Sequence, residues 1–153
     1  QKDPEFKVMT SSTGPRRKAR ELALQCLHQW DQQGHEASLE IVEEVMDSLG
    51  AEEEIRPHAR IILAAYWERP AEIDEWIDSA SENWRMSRMA VIDRNVLRIA
   101  ATELRWIEDV PARVAIDEAI EIVRRFSTEN STSFVNGILD KLLKESEKSD
   151  DPR

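Results

Sequence analysis

The sequence predicts an all-α fold of seven helices in two packed bundles. Three observations carry that prediction. Charged residues make up 34% of the 153-residue chain, against four glycines and six prolines, a mix typical of helical proteins. Apolar residues recur with a 3.6-residue period in seven separate stretches. Neither a βαβ alternation nor an internal repeat is present.

The first helix is predicted to start near Pro15, after the Ser/Thr/Gly cluster at 10–14, because proline suits a first helical turn. Ala19, Leu22, Ala23, Cys26, Leu27 and Trp30 form one apolar stripe, and Gly34 is a natural stop. A second helix runs from Ser38, a candidate N-cap, to Leu49, with Leu39, Val42, Val45, Met46 and Leu49 inward. The third covers about 55–68 on Ile55, Ala59, Ile62, Leu63 and Tyr66. Pro70 ends it or opens a fourth, whose apolar face is Ile73, Trp76, Ile77, Ala80 and Trp84. The fifth begins after Ser87, is expected to be the longest, and carries Val96, Leu97, Ala100, Leu104 and Ile107.

Pro111 opens a sixth helix with Ala115, Ala119, Ile122 and Phe126 inward. A polar break at 127–132 leads to the seventh, on Phe134 or Val135, Ile138, Leu139, Leu142 and Leu143. Asn136-Gly137 is a hairpin dipeptide, but its flanks repeat with helical period, so it belongs inside the helix. Glycine there costs about 1 kcal/mol relative to alanine, which implies compensation by close approach of a neighbouring helix. The connectors are short. They divide one domain, 9–144, into subdomains at about 15–68 and 70–144. Residues 1–8 read as a cloning remnant before Met9, and 145–153 as a flexible, charged tail.

Composition excludes several function classes. No stretch reaches the roughly 18 apolar residues of a membrane span. The lone Cys26 cannot form an internal disulfide, so a reducing cytoplasm is expected. His28, His35 and His58 share no i, i+4 spacing, and a metal site needs several converging ligands. There is no phosphate-binding glycine loop, nucleophile elbow or dinucleotide fingerprint. No catalytic residue, metal or cofactor is expected.

The net charge is −10, which on its sum disfavours nucleic acid, yet its distribution is polarised. Residues 14–30 carry four cations and one carboxylate, whereas 36–54 carry eight carboxylates and no Lys or Arg. The acidic run reads as a solvated helix face. Arg16, Arg17, Lys18 and Arg20 sit at a helix start, where cations oppose the helix macrodipole. The choice is between solubilising charges and an anion-binding patch. The local electrostatic cost, and the match of arginine forks to phosphate, tilt it towards a ligand. Trp30 and Trp76 lie on core stripes. Phe134, after a polar loop, either caps the core or meets a base.

Three ordered blocks carry a family resemblance: Arg16 to Trp30, Asp93 to Leu104, and Val114 to Phe126 with Phe134-Val-Asn-Gly-Ile-Leu-Asp140. They resemble the bacterial transcription antitermination family NusB over most of residues 15–143. The segment 34–85 is similar only in helical character. The resemblance implies the seven-helix, two-bundle NusB fold. It implies binding to single-stranded boxA RNA of ribosomal RNA leaders together with NusE, a protein of the small ribosomal subunit. It also implies entry into the antitermination complex on RNA polymerase, by a protein that is a monomer or a homodimer.

By matching position, the resemblance puts Arg16, Arg17, Lys18, Arg20 and Gln25 on the RNA-binding N-terminal region. Asn130 and Phe134 fall on a second RNA-contacting region, and Asp93 near the NusE-facing surface. Asp93 is expected to point to solvent, since Val96 and Leu97 point inward, and its charge reversal to leave stability near normal. Two departures stand out. His28 replaces a common tyrosine, and Asn130 a frequently acidic residue, a change that removes repulsion towards phosphate. Two alternatives remain at this level. One is an accessory domain of a ribosomal RNA cytosine methyltransferase, which the start at Met9 and the charged end disfavour. The other is a protein-binding adaptor whose arginines only solubilise it.

Overall fold

The computed structural model describes residues 14–34, 39–82 and 84–146. Among these residues all regular structure is helical: α1 Pro15–Gln32, α2 Leu39–Ser48, α3 Arg56–Glu68, α4 Pro70–Ala80, α5 Val91–Trp106, α6 Ala112–Phe126 and α7 Glu129–Glu145. Short 3-10 turns precede α3 and α5. The expected cloning remnant, the Ser38 cap and the tail beyond 146 lie outside the described residues.

The apolar stripes converge on one continuous core, with α5 at its centre, packed against α1, α3, α4, α6 and α7. The α1 stripe is buried throughout, from Ala19 to Trp30. Burial of aliphatic side chains on this scale is the main favourable term for a chain of this size. Cys26 lies in the same stripe, and burial pushes its thiol up to about 12, so it packs as a small apolar residue.

The helix boundaries differ from the pattern reading where local chemistry overrides periodicity. α1, not α5, is the longest helix, at 18 residues. α4 ends at Ala80 because Glu82 takes a positive φ of 50°, and Ser81 Oγ donates to the carbonyl of Asp78. Trp84 therefore lies outside the helix, 52% exposed, rather than in the core. Leu49 lies just beyond α2, before the positive-φ Gly50, and is also exposed. The polar stretch 127–132 is mostly helix: Thr128 Oγ1 accepts from the backbone N–H of Ser131 at 3.2 Å and so caps α7. At the other end Glu145 is still helical and accepts from Trp76 Nε1 at 2.9 Å. Gly137 has open space where a Cβ would lie; it faces a groove, not a neighbouring helix.

Candidate nucleic-acid interface

The basic residues near the start of α1 divide by what packs against them. Arg16, one residue past the proline, is exposed and donates through Nη2 to Asp109 at 2.8 Å, in the loop between α5 and α6. Arg17 lies over α6 and makes a two-pronged pair with Glu118, Nε to Oε1 at 2.7 Å and Nη2 to Oε2 at 2.8 Å. That pairing raises the Arg17 pKa and holds the Glu118 carboxyl below its ordinary range. Lys18 is half-buried, with Nζ a loose 3.8 Å from Glu52. These three cations form a surface turn.

Arg20 does not belong to that surface. It is 2% exposed, a correction to its expected role at phosphate. Its Nε donates to both oxygens of the fully buried Glu103, at 2.8 and 3.1 Å. The second Glu103 oxygen also lies 2.9 Å from His58 Nε2. Arg20 follows Arg16 by four residues and Arg17 by three, so it shares their face of α1; what differs is its place one turn further into the helix, where α5 brings Glu103 against it. An unpaired guanidinium could not be buried there; the carboxylate makes it possible. Arg20 is thus the internal anchor of the basic turn.

The remaining expected positions lie further along. Gln25 is half-buried in mid-α1, one turn beyond the buried Glu21. Burial raises the Glu21 pKa, opposed by Arg125, whose Nη1 is 3.9 Å from Glu21 Oε2. Asn130 is exposed in the first turn of α7. Phe134, one turn on, is partly buried and meets Trp84 edge-to-face, with ring centroids 6.4 Å apart. The two rings, Ser133, Gly137 and Lys141 line a shallow groove of about 320 Å³. The basic turn and the α7 positions are connected through α6, which meets Arg17 at Glu118 and ends just before α7 begins.

Asp93 is a second correction. It is 4% exposed, not solvent-facing. Ser127 Oγ donates to Oδ1 at 2.9 Å and Ser131 Oγ to Oδ2 at 2.7 Å. The carboxylate lies in the first turn of α5, where negative charge is favoured, and it ties α5 to the start of α7.

Sequence reasoning missed Arg124 and Arg125. Both are exposed in the last turn of α6, between the basic turn and Asn130. Cations suit a helix C-terminus, so the pair reads as ordinary helix chemistry in sequence. The exposed Trp84 was missed because it continues the α4 period. Among the described residues no three His, Cys, Asp or Glu side chains are grouped to hold a metal, and no helix is long and apolar enough to cross a membrane.

The sequence pattern of the NusB family matches residues 17–144. The chain is 43% identical to the transcription antitermination protein NusB of Koribacter versatilis over 139 residues, covering 90% of this chain and 94% of that protein. The T. maritima NusB structure superposes with a TM-score of 0.78 at 40% identity, over 88% of this chain and 94% of the other. A structure of antitermination factors NusB and NusE in complex with double-stranded RNA shares the fold, with a TM-score of 0.76 at 24% identity, over 86% and 97% of the two chains.

Proposed function

The chain belongs to the NusB family, and from that premise we propose that it is a transcription antitermination factor. It binds boxA-type single-stranded RNA together with NusE and joins the RNA polymerase antitermination complex. It acts in the cytoplasm and without catalysis. The observation that carries this reading is the surface turn of Arg16, Arg17 and Lys18, set on a family-matched helix and anchored from beneath by Arg20. The fold is one on which NusB has been seen with NusE and RNA.

In this reading Arg16, Arg17 and Lys18 hold backbone phosphates, which fixes the register of the strand. Arg124 and Arg125 extend the positive path towards Asn130 and Phe134. Base identity is read where bases are unstacked. Gln25 and Asn130 supply amides for base edges, and Phe134 supplies an aromatic surface. Asp93 contributes to NusE binding indirectly, by fixing the junction of α5 and α7 that NusE meets.

The test is a titration with boxA-like and scrambled RNA, with and without NusE, over a range of salt. Three phosphate contacts predict a log–log salt slope no steeper than about −2, from roughly −0.7 per contact on single strands. The triple variant Arg16→Ala, Arg17→Ala, Lys18→Ala should flatten that slope and keep its helicity. An unchanged slope removes the basic turn from the RNA site.

Phe134→Ala separates stacking from packing. The ring is only partly buried, so the stability loss should be about 2 kcal/mol, below the 3–5 kcal/mol of a fully buried phenylalanine. RNA binding should weaken by about 1–3 kcal/mol if a base stacks on the ring. Normal RNA affinity in the folded protein would leave Phe134 as a packing residue alone.

A further inference from the structure

Of the three surface cations, one is restrained differently from the others. Arg16 touches Asp109 through a single nitrogen, and both side chains are at least half exposed. Lys18 is 3.8 Å from Glu52. Arg17 instead meets Glu118 through two parallel hydrogen bonds of 2.7 and 2.8 Å. Each of those side chains is only about one-fifth exposed. A guanidinium offers phosphate the same two-pronged edge that it offers a carboxylate. The Nε–Nη2 edge of Arg17 is therefore already occupied.

Glu118 also reaches inward: its Oε1 lies 3.9 Å from Nη1 of the buried Arg20. Its position is set from both sides, by the surface arginine and by the internal anchor. It faces a buried charge as well as a surface one.

We propose that Glu118 is an internal competitor of the RNA backbone: it holds the Nε–Nη2 edge of Arg17 in the free protein, and a phosphate must displace it to take that edge. This inference rests on the RNA-binding reading above. Binding then exchanges one ion pair for another, and the gain per phosphate at Arg17 is reduced by what the carboxylate already supplied. The counterion balance follows. A displaced carboxylate recovers counter-cations, which offsets part of the release from RNA and flattens the salt dependence. Glu118 thus lowers affinity for any polyanion that offers only phosphates. Weak, indiscriminate complexes fall below useful occupancy, while a strand that also makes base contacts stays bound.

The test titrates the full chain and Glu118→Gln with boxA-like and scrambled RNA of equal length. Glu118→Gln should bind both RNAs about fivefold more tightly, the equivalent of an ion pair worth about 1 kcal/mol. Its salt slope should steepen by up to about 0.7. In an Arg17→Ala background the same substitution should leave affinity and slope unchanged. Asp117→Asn, which removes an equal charge from the exposed neighbouring position, should have a much smaller effect.

Tightening that persists without Arg17 would show a general charge effect and overturn the proposal. So would an unchanged affinity in Glu118→Gln when Arg17→Ala still weakens RNA; that result leaves the RNA-binding reading intact. Absence of RNA binding by the unaltered chain, with NusE present, would remove both. If Glu118→Gln does not fold, Glu118→Asp keeps the charge but shortens the reach across the fork. It should tighten binding by a smaller factor, again only when Arg17 is present.

Discussion

Replacement of Glu103 by alanine is expected to cost about 3–5 kcal/mol of folding stability, the usual cost of leaving one member of a buried ion pair behind. Glu103 is fully buried and accepts from Arg20 Nε, with His58 at its other oxygen. Without it the Arg20 guanidinium, 2% exposed, keeps only the 3.9 Å contact with Glu118. That distance is too long for a hydrogen bond. Glu103→Gln retains the shape and one acceptor oxygen, so it should cost less. Denaturant melts of the two variants check this order. A loss under about 1 kcal/mol in the alanine variant would mean that water reaches the site and that Arg20 is no anchor. Typical domains are stable by only about 5–15 kcal/mol, so the predicted loss is a large share of the whole.

Asp93→Lys is expected to destabilise the protein by a similar amount, about 3–5 kcal/mol. Three terms act in the same direction. Two serine hydroxyls lose their acceptor, a cation replaces an anion in the first turn of a helix, and a buried charge has no partner built for it. A loss of NusE binding in this variant would accordingly report damage at the junction of α5 and α7. Asp93→Asn is the cleaner probe, because it preserves size and one acceptor. Thermal melts of the two should differ clearly; near-normal stability of the lysine variant would return Asp93 to the surface.

The contrast between Arg16 and Arg20 shows how far the sequence could be read. All four cations near the start of α1 look alike in composition, in spacing and in their resemblance to the family. Their pairing partners lie 83 to 101 residues away, at Glu103, Asp109 and Glu118, or, for Lys18, at Glu52 in the turn before α3. No local pattern marks them. The same holds for Asp93, whose hydroxyl partners belong to a stretch that reads as a loop. Trp84 shows the converse error: a period continues on paper where one positive-φ residue has already ended the helix.

The sequence by itself determined the seven helices, most of the inward faces and the family, because these depend on short-range periodicity and on ordered motif blocks. Ala19 to Trp30, Ile55 to Tyr66 and Val96 to Leu104 were legible because a helix repeats its face every three to four residues. Only the tertiary structure decided which charges are surface and which are internal. A side chain's accessibility depends on what a distant segment brings against it, and a buried charge is tolerated only where that segment supplies an opposite one. Arg17 and Arg20 are three residues apart on one helix, and only the carboxylates brought against them from α5 and α6 make one a partly exposed pair and the other a buried anchor.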